Sequence, residues 1–343
     1  MIEIISIIFV IIGALVGAGF ASGQEIFSFF YIYGINGIYG IIFMCFLMGV
    51  LINKTLSIAY IEESDNYNDF LNSFIKNKKI NLIINNVINI LLLFSFYIMV
   101  AGFGAYFEQE LGVSKFLGSI CFVFLCTIVF LLNVKGVLKV SNIIVPVLII
   151  FIIFIGTKNI LNIQQNIEII QIRDNWIISS IIYTSYNLIL LIPVLISLRK
   201  QITSFKHIKH IAIFSSIIMV ILSIMIFMLM TNENILNLQK QEMPTVYIIS
   251  RKFFQYRNLY AFIILASIFT TAISVGIGFL QNVSKNKKSY TQFVIFMCIT
   301  SLFITRFGFS KILNFGYPIF GYIGIIQILL ILMKNLKNNI AKT

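Results

Sequence analysis

The chain has 343 residues, of which 59% are hydrophobic and 11% are charged, and its mean hydropathy is +0.99. An ordinary globular domain is about 25% charged, so this composition excludes a soluble globular protein and indicates a membrane protein. The net charge of +13 is typical of the lysine and arginine excess in cytoplasmic loops. No basic run is interleaved with aromatic residues, so a nucleic-acid partner is not expected.

Ten apolar runs are long enough to cross a bilayer, and each is predicted to be a transmembrane helix because a helix satisfies its own backbone groups in lipid. They are Ile4–Phe30, Ile35–Asn53, Ile80–Phe107, Phe116–Val134, Val140–Thr157, Asn175–Leu198, Ile211–Thr231, Asn258–Ser284, Ser289–Thr305 and Ile312–Met333. The first run lacks the basic leading segment and the cleavage site of a signal peptide, so it is interpreted as a span.

The distribution of basic residues predicts the orientation of these spans. With the N-terminus placed inside, sixteen of the 25 lysines and arginines fall in cytoplasmic connections and nine fall outside. This bias predicts that both termini are cytoplasmic, with a short tail at 335–343. The chain is therefore predicted to be one transmembrane domain over residues 1–343, in a bacterial cytoplasmic membrane.

The first span contains the most informative stretch, Gly13–Glu25, which reads GALVGAGFASGQE. Its four glycines favour either close helix packing through small residues or locally unwound backbone that lines a cavity. Packing alone does not account for Glu25, because a charge at the bilayer centre costs at least ~2.5–3.5 kcal/mol. We therefore predict that the helix is unwound here, where exposed carbonyls can hold a cation and the next half-helix can face an anion.

The string GALVGAGFASGQEI, followed by a glycine-rich second span, resembles the YkvI-type bacterial membrane proteins. These form a branch of the amino acid–polyamine–organocation transporter superfamily. The resemblance is specific in the first span and topological elsewhere. It implies the leucine-transporter fold, an all-α polytopic membrane protein of about ten helices in two inverted five-helix repeats. The repeats would cover about 1–157 and 175–334, with helices 1 and 6 broken at the membrane midplane.

The sixth span holds a polar cluster, Tyr183–Asn187, and Pro193, which lacks a backbone donor. Either the helix breaks here, or a polar face bonds to its neighbours beside a simple kink; we predict the break. A substrate would then bind between the two broken helices. Tyr97 of the third span is interpreted either as a group that closes over this substrate or as one of the many aromatic residues of the chain. The predicted substrate-binding residues are Gly17, Ala18, Gly19, Ser22, Gly23, Gln24, Glu25, Tyr97, Tyr183, Thr184, Ser185, Tyr186 and Asn187.

The resemblance also implies a site for a coupling ion. In sodium-coupled relatives a sodium ion lies between helix 1 carbonyls and helix 8 hydroxyls. By position, the ligands here are Gly13, Val16, Ser267, Thr270 and Thr271. Oxygen ligands suit a hard cation, although serine and threonine are also common where membrane helices pack. The fifth span lacks the lysine that replaces sodium in proton-coupled relatives, whereas Glu25 is a group that can carry a proton, so both ions stay open.

These features predict a secondary transporter that moves a small solute by alternating access, with an amino acid as the expected substrate. The alternative is a sensor on a permease scaffold that binds a small ligand without transporting it. An enzyme is not expected, since the spans contain no catalytic motif, and no cofactor besides the coupling ion is predicted.

Pro244–Ser250, between spans seven and eight, is interpreted as either a lid helix or a solvated loop.

Overall fold

The structure is a computed structural model that describes residues 2–161, 171–231, 233–241, 243–304 and 309–334. The predicted cytoplasmic tail at 335–343 lies outside these ranges. The described residues form the helices α1 (Ile2–Leu15), α2 (Ala18–Ala21), α3 (Gln24–Ile26), α4 (Asn36–Ile61), α5 (Tyr67–Asn72), α6 (Lys78–Leu111), α7 (Lys115–Leu131), α8 (Asn133–Leu161), α9 (Trp176–Ser197), α10 (Phe205–Met230), α11 (Ile235–Gln239), α12 (Pro244–Lys252), α13 (Arg257–Val283), α14 (Lys287–Ile304) and α15 (Phe309–Met333).

Several helices begin at a polar side chain that accepts a hydrogen bond from a free backbone N–H of the first turn. Asn66, Asn77, Ser114, Ser204 and Asn234 perform this role for α5, α6, α7, α10 and α11. Such caps satisfy donors that have no partner within the helix. Within the sequence, they mark the connections between the apolar spans.

Six of the described helices are long and apolar enough to cross a membrane by length and composition: α4, α6, α8, α9, α10 and α13. Three shorter apolar helices are Glu3–Leu15, Lys115–Leu131 and Phe320–Met333. The outer surface carries large apolar side chains, for example Ile143 with 72% of its surface exposed. Apolar groups exposed on this scale fit a lipid environment. The count of ten spans stays a prediction.

The bundle is organised around α13, the most buried of the six long apolar helices. It packs against α6, α8, α9 and α1. α1 packs against α8, α9 packs against α15 and α4, and α10 packs against α4 and α8. Because α13 is surrounded, its serines and threonines face other helices, and it forms one wall of the space beside the first span.

Candidate functional site

The first predicted span is interrupted twice. α1 ends at Leu15, and the Val16 N–H still donates to the Ile12 carbonyl at 2.7 Å. Gly17 then takes an extended conformation, with φ −89° and ψ −169°, before α2 begins. A Cβ added at Gly17 would lie 3.2 Å from Thr271 Oγ1, so this glycine allows α13 to approach closely. An extended residue stops the regular helical hydrogen bonds, and nearby backbone groups then need other partners.

The second interruption lies at Gly23, between α2 and α3. Its φ of +76° is in the left-handed region, which glycine adopts without steric cost. A Cβ at this position would lie 2.5 Å from both Met230 Cε and Thr245 Cγ2. Only glycine therefore fits here, and the helical path restarts at Gln24 and continues through a π-helical turn over Phe27–Tyr31.

Glu25 follows the second interruption and is buried, with 5% of its surface exposed. The Tyr183 hydroxyl of α9 donates a 2.9 Å hydrogen bond to Glu25 Oε2. Gly19 provides the space for the carboxylate, because a Cβ at Gly19 would lie 2.3 Å from Glu25 Oε1 and 2.9 Å from Cδ. The glycines and the carboxylate that stand out in the sequence are therefore in direct contact.

Aromatic rings surround the phenol of Tyr183. The ring centroids of Phe29 and Phe30 lie 5.2 and 5.1 Å from it, and that of Tyr186 lies 5.6 Å away. All three rings meet Tyr183 edge to face, an arrangement that aromatic pairs favour. This packing restricts the ring and keeps its hydroxyl directed at Glu25.

A small cavity borders Glu25 and has a volume of about 30 Å³, which is room for one or two water molecules. Its lining consists of Ala14, Leu15, Gly17, Ala18, Glu25, Ser95, Ile98, Met99, Tyr186, Asn187, Leu190, Leu191, Thr271 and Val275. Among these lining residues Glu25 is the one carboxylate, and none is a lysine, arginine or histidine. The cavity thus presents an acidic group and apolar walls beside the interrupted span.

The predicted break in the sixth span is wrong, because α9 runs without interruption from Trp176 to Ser197. Thr184, Ser185 and Asn187 each donate a side-chain hydrogen bond to the carbonyl four residues earlier, at 2.8, 2.7 and 3.0 Å. These bonds satisfy the polar groups within an intact helix. Pro193 also lies inside this continuous helix. Neither the polar cluster nor the proline therefore interrupts the helical backbone of α9.

The polar residues Tyr183–Asn187 of α9 differ in whether they reach the cavity. Tyr183 reaches Glu25, and Tyr186 and Asn187 line the cavity. Thr184 and Ser185 are buried but do not line it. Six further predicted residues lie in the first span besides Glu25. Gly17 and Ala18 line the cavity, and Gly19 makes room for the carboxylate of Glu25. The Ser22 hydroxyl donates a hydrogen bond to the Gly19 carbonyl at 3.2 Å, and Gly23 forms the left-handed turn. Gln24 is half-buried and does not line the cavity.

Tyr97 is not brought to the cavity. Its hydroxyl lies 2.5 Å from Thr300 Oγ1 of α14, and the α6 residues that line the cavity are Ser95, Ile98 and Met99. The sequence of this span gives no signal for the inward face, because apolar residues occur on all its sides. Successive residues on a helix point about 100° apart, so packing decides which of them faces the centre.

The predicted cation ligands lie close together at the first interruption. The Gly13 carbonyl accepts a 2.8 Å hydrogen bond from the Thr271 hydroxyl. A Cβ at Gly13 would lie 3.1 Å from Thr270 Cβ, and the Thr270 hydroxyl donates to the Ser267 carbonyl at 3.0 Å. Val16 is buried beside the extended residue. The region is thus rich in carbonyl and hydroxyl oxygens, the ligand type that hard cations prefer.

The segment Pro244–Ser250 is helical, within α12, and covers the second interruption. Thr245 donates from its hydroxyl to the Ala21 carbonyl at 2.9 Å and from its backbone N–H to the Ser22 carbonyl at 3.0 Å. The Tyr260 hydroxyl bonds to Thr245 Oγ1 at 2.7 Å and also to the Ala21 carbonyl. The structure therefore favours the helix over the solvated loop.

Polar contacts also close the opposite end of the bundle. Asn282 lies 22 residues after Tyr260 on α13, which places it about 33 Å further along the axis. Its Nδ2 lies 2.7 Å from Asn85 Oδ1 and 2.6 Å from Asn89 Oδ1 of α6, and its Oδ1 accepts the Tyr67 N–H at 2.9 Å. The cavity, which Thr271 and Val275 of α13 line, thus lies between the Thr245 cluster and the Asn282 cluster at the two ends of α13.

No protein-family model matches the chain. Over 331 residues it is 29% identical to the uncharacterized membrane protein YkvI of Bacillus subtilis (strain 168), a match that covers 95% of this chain and 94% of YkvI. It is 26% identical over 340 residues to the uncharacterized protein YyaD of the same organism, covering 94% of each. The resemblance first noted in Gly13–Ile26 therefore extends over nearly the whole chain.

Solved structures resemble the described fold. The structure of MhsT in complex with L-phenylalanine matches with a TM-score of 0.69 and 14% identity, over 98% of this chain and 90% of MhsT. A manganese transporter of Eremococcus coleocola matches with a TM-score of 0.58 and 12% identity, over 95% and 76%. Mhp1, a nucleobase-cation-symport-1 family transporter, matches with 0.51 and 11%, over 94% and 70%. The chain is a multi-pass membrane protein with the fold of known transporters.

Proposed function

We propose that this protein is a secondary transporter of a small amine-bearing solute, an amino acid, that works by alternating access. The observation that carries the proposal is the position of Glu25. A buried carboxylate in a membrane-embedded helix is costly and indicates a functional role, and here it lines a cavity beside the interrupted span. An ammonium group of a solute in this cavity would pair with the carboxylate, with Tyr183 holding Oε2 in place.

The walls of the cavity support the substrate class. Ile98, Met99, Leu190 and Val275 line the cavity with apolar surface. A pocket with apolar walls and a few placed polar groups is typical of sites for small organic ligands. These walls suit an amino acid with an apolar side chain. MhsT, which shares the fold, was crystallised with L-phenylalanine, and this accords with the same class.

The size of the cavity supports alternating access. Its volume of about 30 Å³ is far below the roughly 300–1,000 Å³ of ordinary ligand pockets. A solute therefore enters only after the surrounding helices separate. Gly17 and Gly23 interrupt the helical hydrogen bonds of the first span, so a change of backbone angle costs least there. The Thr245 and Asn282 clusters would open in turn, one on each side of the solute.

We assign the coupling ion to the first interruption. The residues that would hold it are Gly13 and Val16 through their carbonyls, Ser267 through its carbonyl, and Thr270 and Thr271 through their hydroxyls. The fit is supported by the 2.8 Å approach of Thr271 Oγ1 to the Gly13 carbonyl. Sodium is the preferred ion because these ligands are neutral oxygens. A proton carried by Glu25 is the competing choice.

The proposed topology has ten spans in a bacterial cytoplasmic membrane, both termini inside, and two inverted repeats over about 1–157 and 175–334. The packing of equivalent pairs supports the repeats. α1 contacts α8, the first and fifth proposed spans, and α9 contacts α15, the sixth and tenth. Two copies of one five-helix unit would show this correspondence.

Uptake into proteoliposomes tests the proposal. Purified protein would be reconstituted and supplied with radiolabelled amino acids under an inward sodium gradient, an inward proton gradient, or neither. We expect accumulation of an apolar amino acid that depends on one of the two gradients. Binding of an amino acid in detergent without flux in vesicles would show a sensor. Neither binding nor flux with any amino acid would refute the substrate class.

A further inference from the structure

A groove on the outside of the bundle lies apart from the proposed transport site. It runs between α4 and α10 and has a volume of about 540 Å³. Its lining comes from one face of each helix, at positions spaced three and four residues apart over 46–54 and 209–217. None of these residues lines the cavity beside Glu25. The groove is therefore a separate surface that opens towards the lipid.

One end of the groove carries two cations. Lys54 of α4 and Lys209 of α10 both line it, together with the amide of Asn53, and no carboxylate is among the described lining residues. Lys54 Nζ donates one hydrogen bond to the Leu332 carbonyl at 2.5 Å, which leaves two of its three donors. Lys209 is exposed. This end therefore attracts an anion.

The rest of the groove is apolar and exposed. Phe46 and Val50 of α4 have 67% and 38% of their surfaces exposed, and Ile213 and Ile217 of α10 have 43% and 49%. Phe46 lies eight residues from Lys54, and Ile217 lies eight residues from Lys209, so the apolar walls extend about 12 Å from the cations.

Small residues form the floor of the groove, where the two helices approach closely. A Cβ added at Gly49 would lie 2.3 Å from Ser216 Oγ. The volume is thus open on the lipid side and tightly packed underneath. A ligand lying in it would contact both helices along its length and would remain in contact with the membrane.

We propose that the groove binds an anionic phospholipid of the surrounding membrane. Its phosphate would lie between Lys54 and Lys209, and one acyl chain would follow Phe46, Val50, Ile213 and Ile217. Basic pockets between membrane helices recognise lipid headgroups in this way, because the cations pair with phosphate while the helices contact the chain. A lysine and a facing apolar wall on each helix match the two parts of such a lipid.

Native mass spectrometry of the detergent-solubilised full chain tests the proposal. The probes are phosphatidylglycerol and phosphatidylcholine with identical acyl chains. We expect one tightly bound phosphatidylglycerol and weaker binding of phosphatidylcholine. Lys54→Gln with Lys209→Gln should weaken phosphatidylglycerol binding about 25-fold, since each lysine contributes about a factor of five. Lys209→Gln alone should weaken it about fivefold; Lys209 has no hydrogen bond or ion pair among the described residues, so folding should be unaffected.

Lys206→Gln is the matched control. Lys206 lies three residues before Lys209 on α10 and is likewise exposed, but it does not line the groove, so its loss should leave phosphatidylglycerol binding unchanged. Equal weakening by Lys206→Gln and Lys209→Gln would show a diffuse charge effect and overturn the site. Equal binding of the two phospholipids would also overturn it. Competition by glycerol 3-phosphate at equal concentration would show that the apolar walls contribute nothing and would refute a lipid ligand.

Discussion

The contact between Gly19 and Glu25 predicts an unusual response to a single added methyl group. In Gly19→Ala the new Cβ would lie 2.3 Å from Glu25 Oε1 and 2.9 Å from Cγ and Cδ. Either the carboxylate stays and the site is overpacked, at about 1–3 kcal/mol, or it moves and loses the hydrogen bond from Tyr183, at about 1.5–3 kcal/mol. Alanine recovers about 1 kcal/mol as a better helix former. The net loss of stability is therefore up to about 2 kcal/mol.

Thermal unfolding of the purified protein measures this loss, which corresponds to a fall in Tm of up to roughly 8 °C. A double-mutant cycle isolates the cause. Glu25→Ala removes Oε1, Cδ and Cγ, the three atoms that the new methyl group would meet. In that background Gly19→Ala should cost nothing and should raise Tm slightly through helix propensity. The same fall in Tm in both backgrounds would refute the claim that Gly19 makes room for the carboxylate.

Three further substitutions test the proposed transport site by uptake into proteoliposomes. Glu25→Gln should abolish or uncouple transport while the protein still folds, because the charge that pairs with the amine or proton is lost; coupled uptake at the wild-type rate would remove Glu25 from the mechanism. Thr271→Ala should weaken the sodium dependence of uptake at least tenfold, whereas Ser274→Ala on the same helix should not, and an unchanged sodium response would eliminate the proposed ion site. Tyr97→Phe should leave uptake within twofold of wild type, since its hydroxyl bonds to Thr300 outside the cavity; a tenfold loss would contradict this placement.

The sequence by itself determined the class of protein and the region of the site. Long apolar runs can satisfy their backbone in lipid only as helices, so composition and run length were enough to predict a helical membrane protein. The glycines of Gly13–Gly23 marked the stretch where the structure has an extended residue and a left-handed one. Glu25 was identifiable because a carboxylate inside an apolar span requires a partner.

Tertiary structure decided the direction of each side chain and the continuity of the sixth span. The cluster around Thr184 was expected to break its helix, but hydrogen bonds to the preceding turn satisfy it. Tyr97 was expected at the centre, yet apolar residues occur on all sides of α6 around it, so the orientation of this stretch depends on how α14 and α13 pack against it. A sequence gives the residues along a helix, whereas the rotation of that helix about its axis is set by contacts with helices distant in the chain. The same packing brought Tyr183 to Glu25 and placed Lys54 and Lys209 in the lining of one groove.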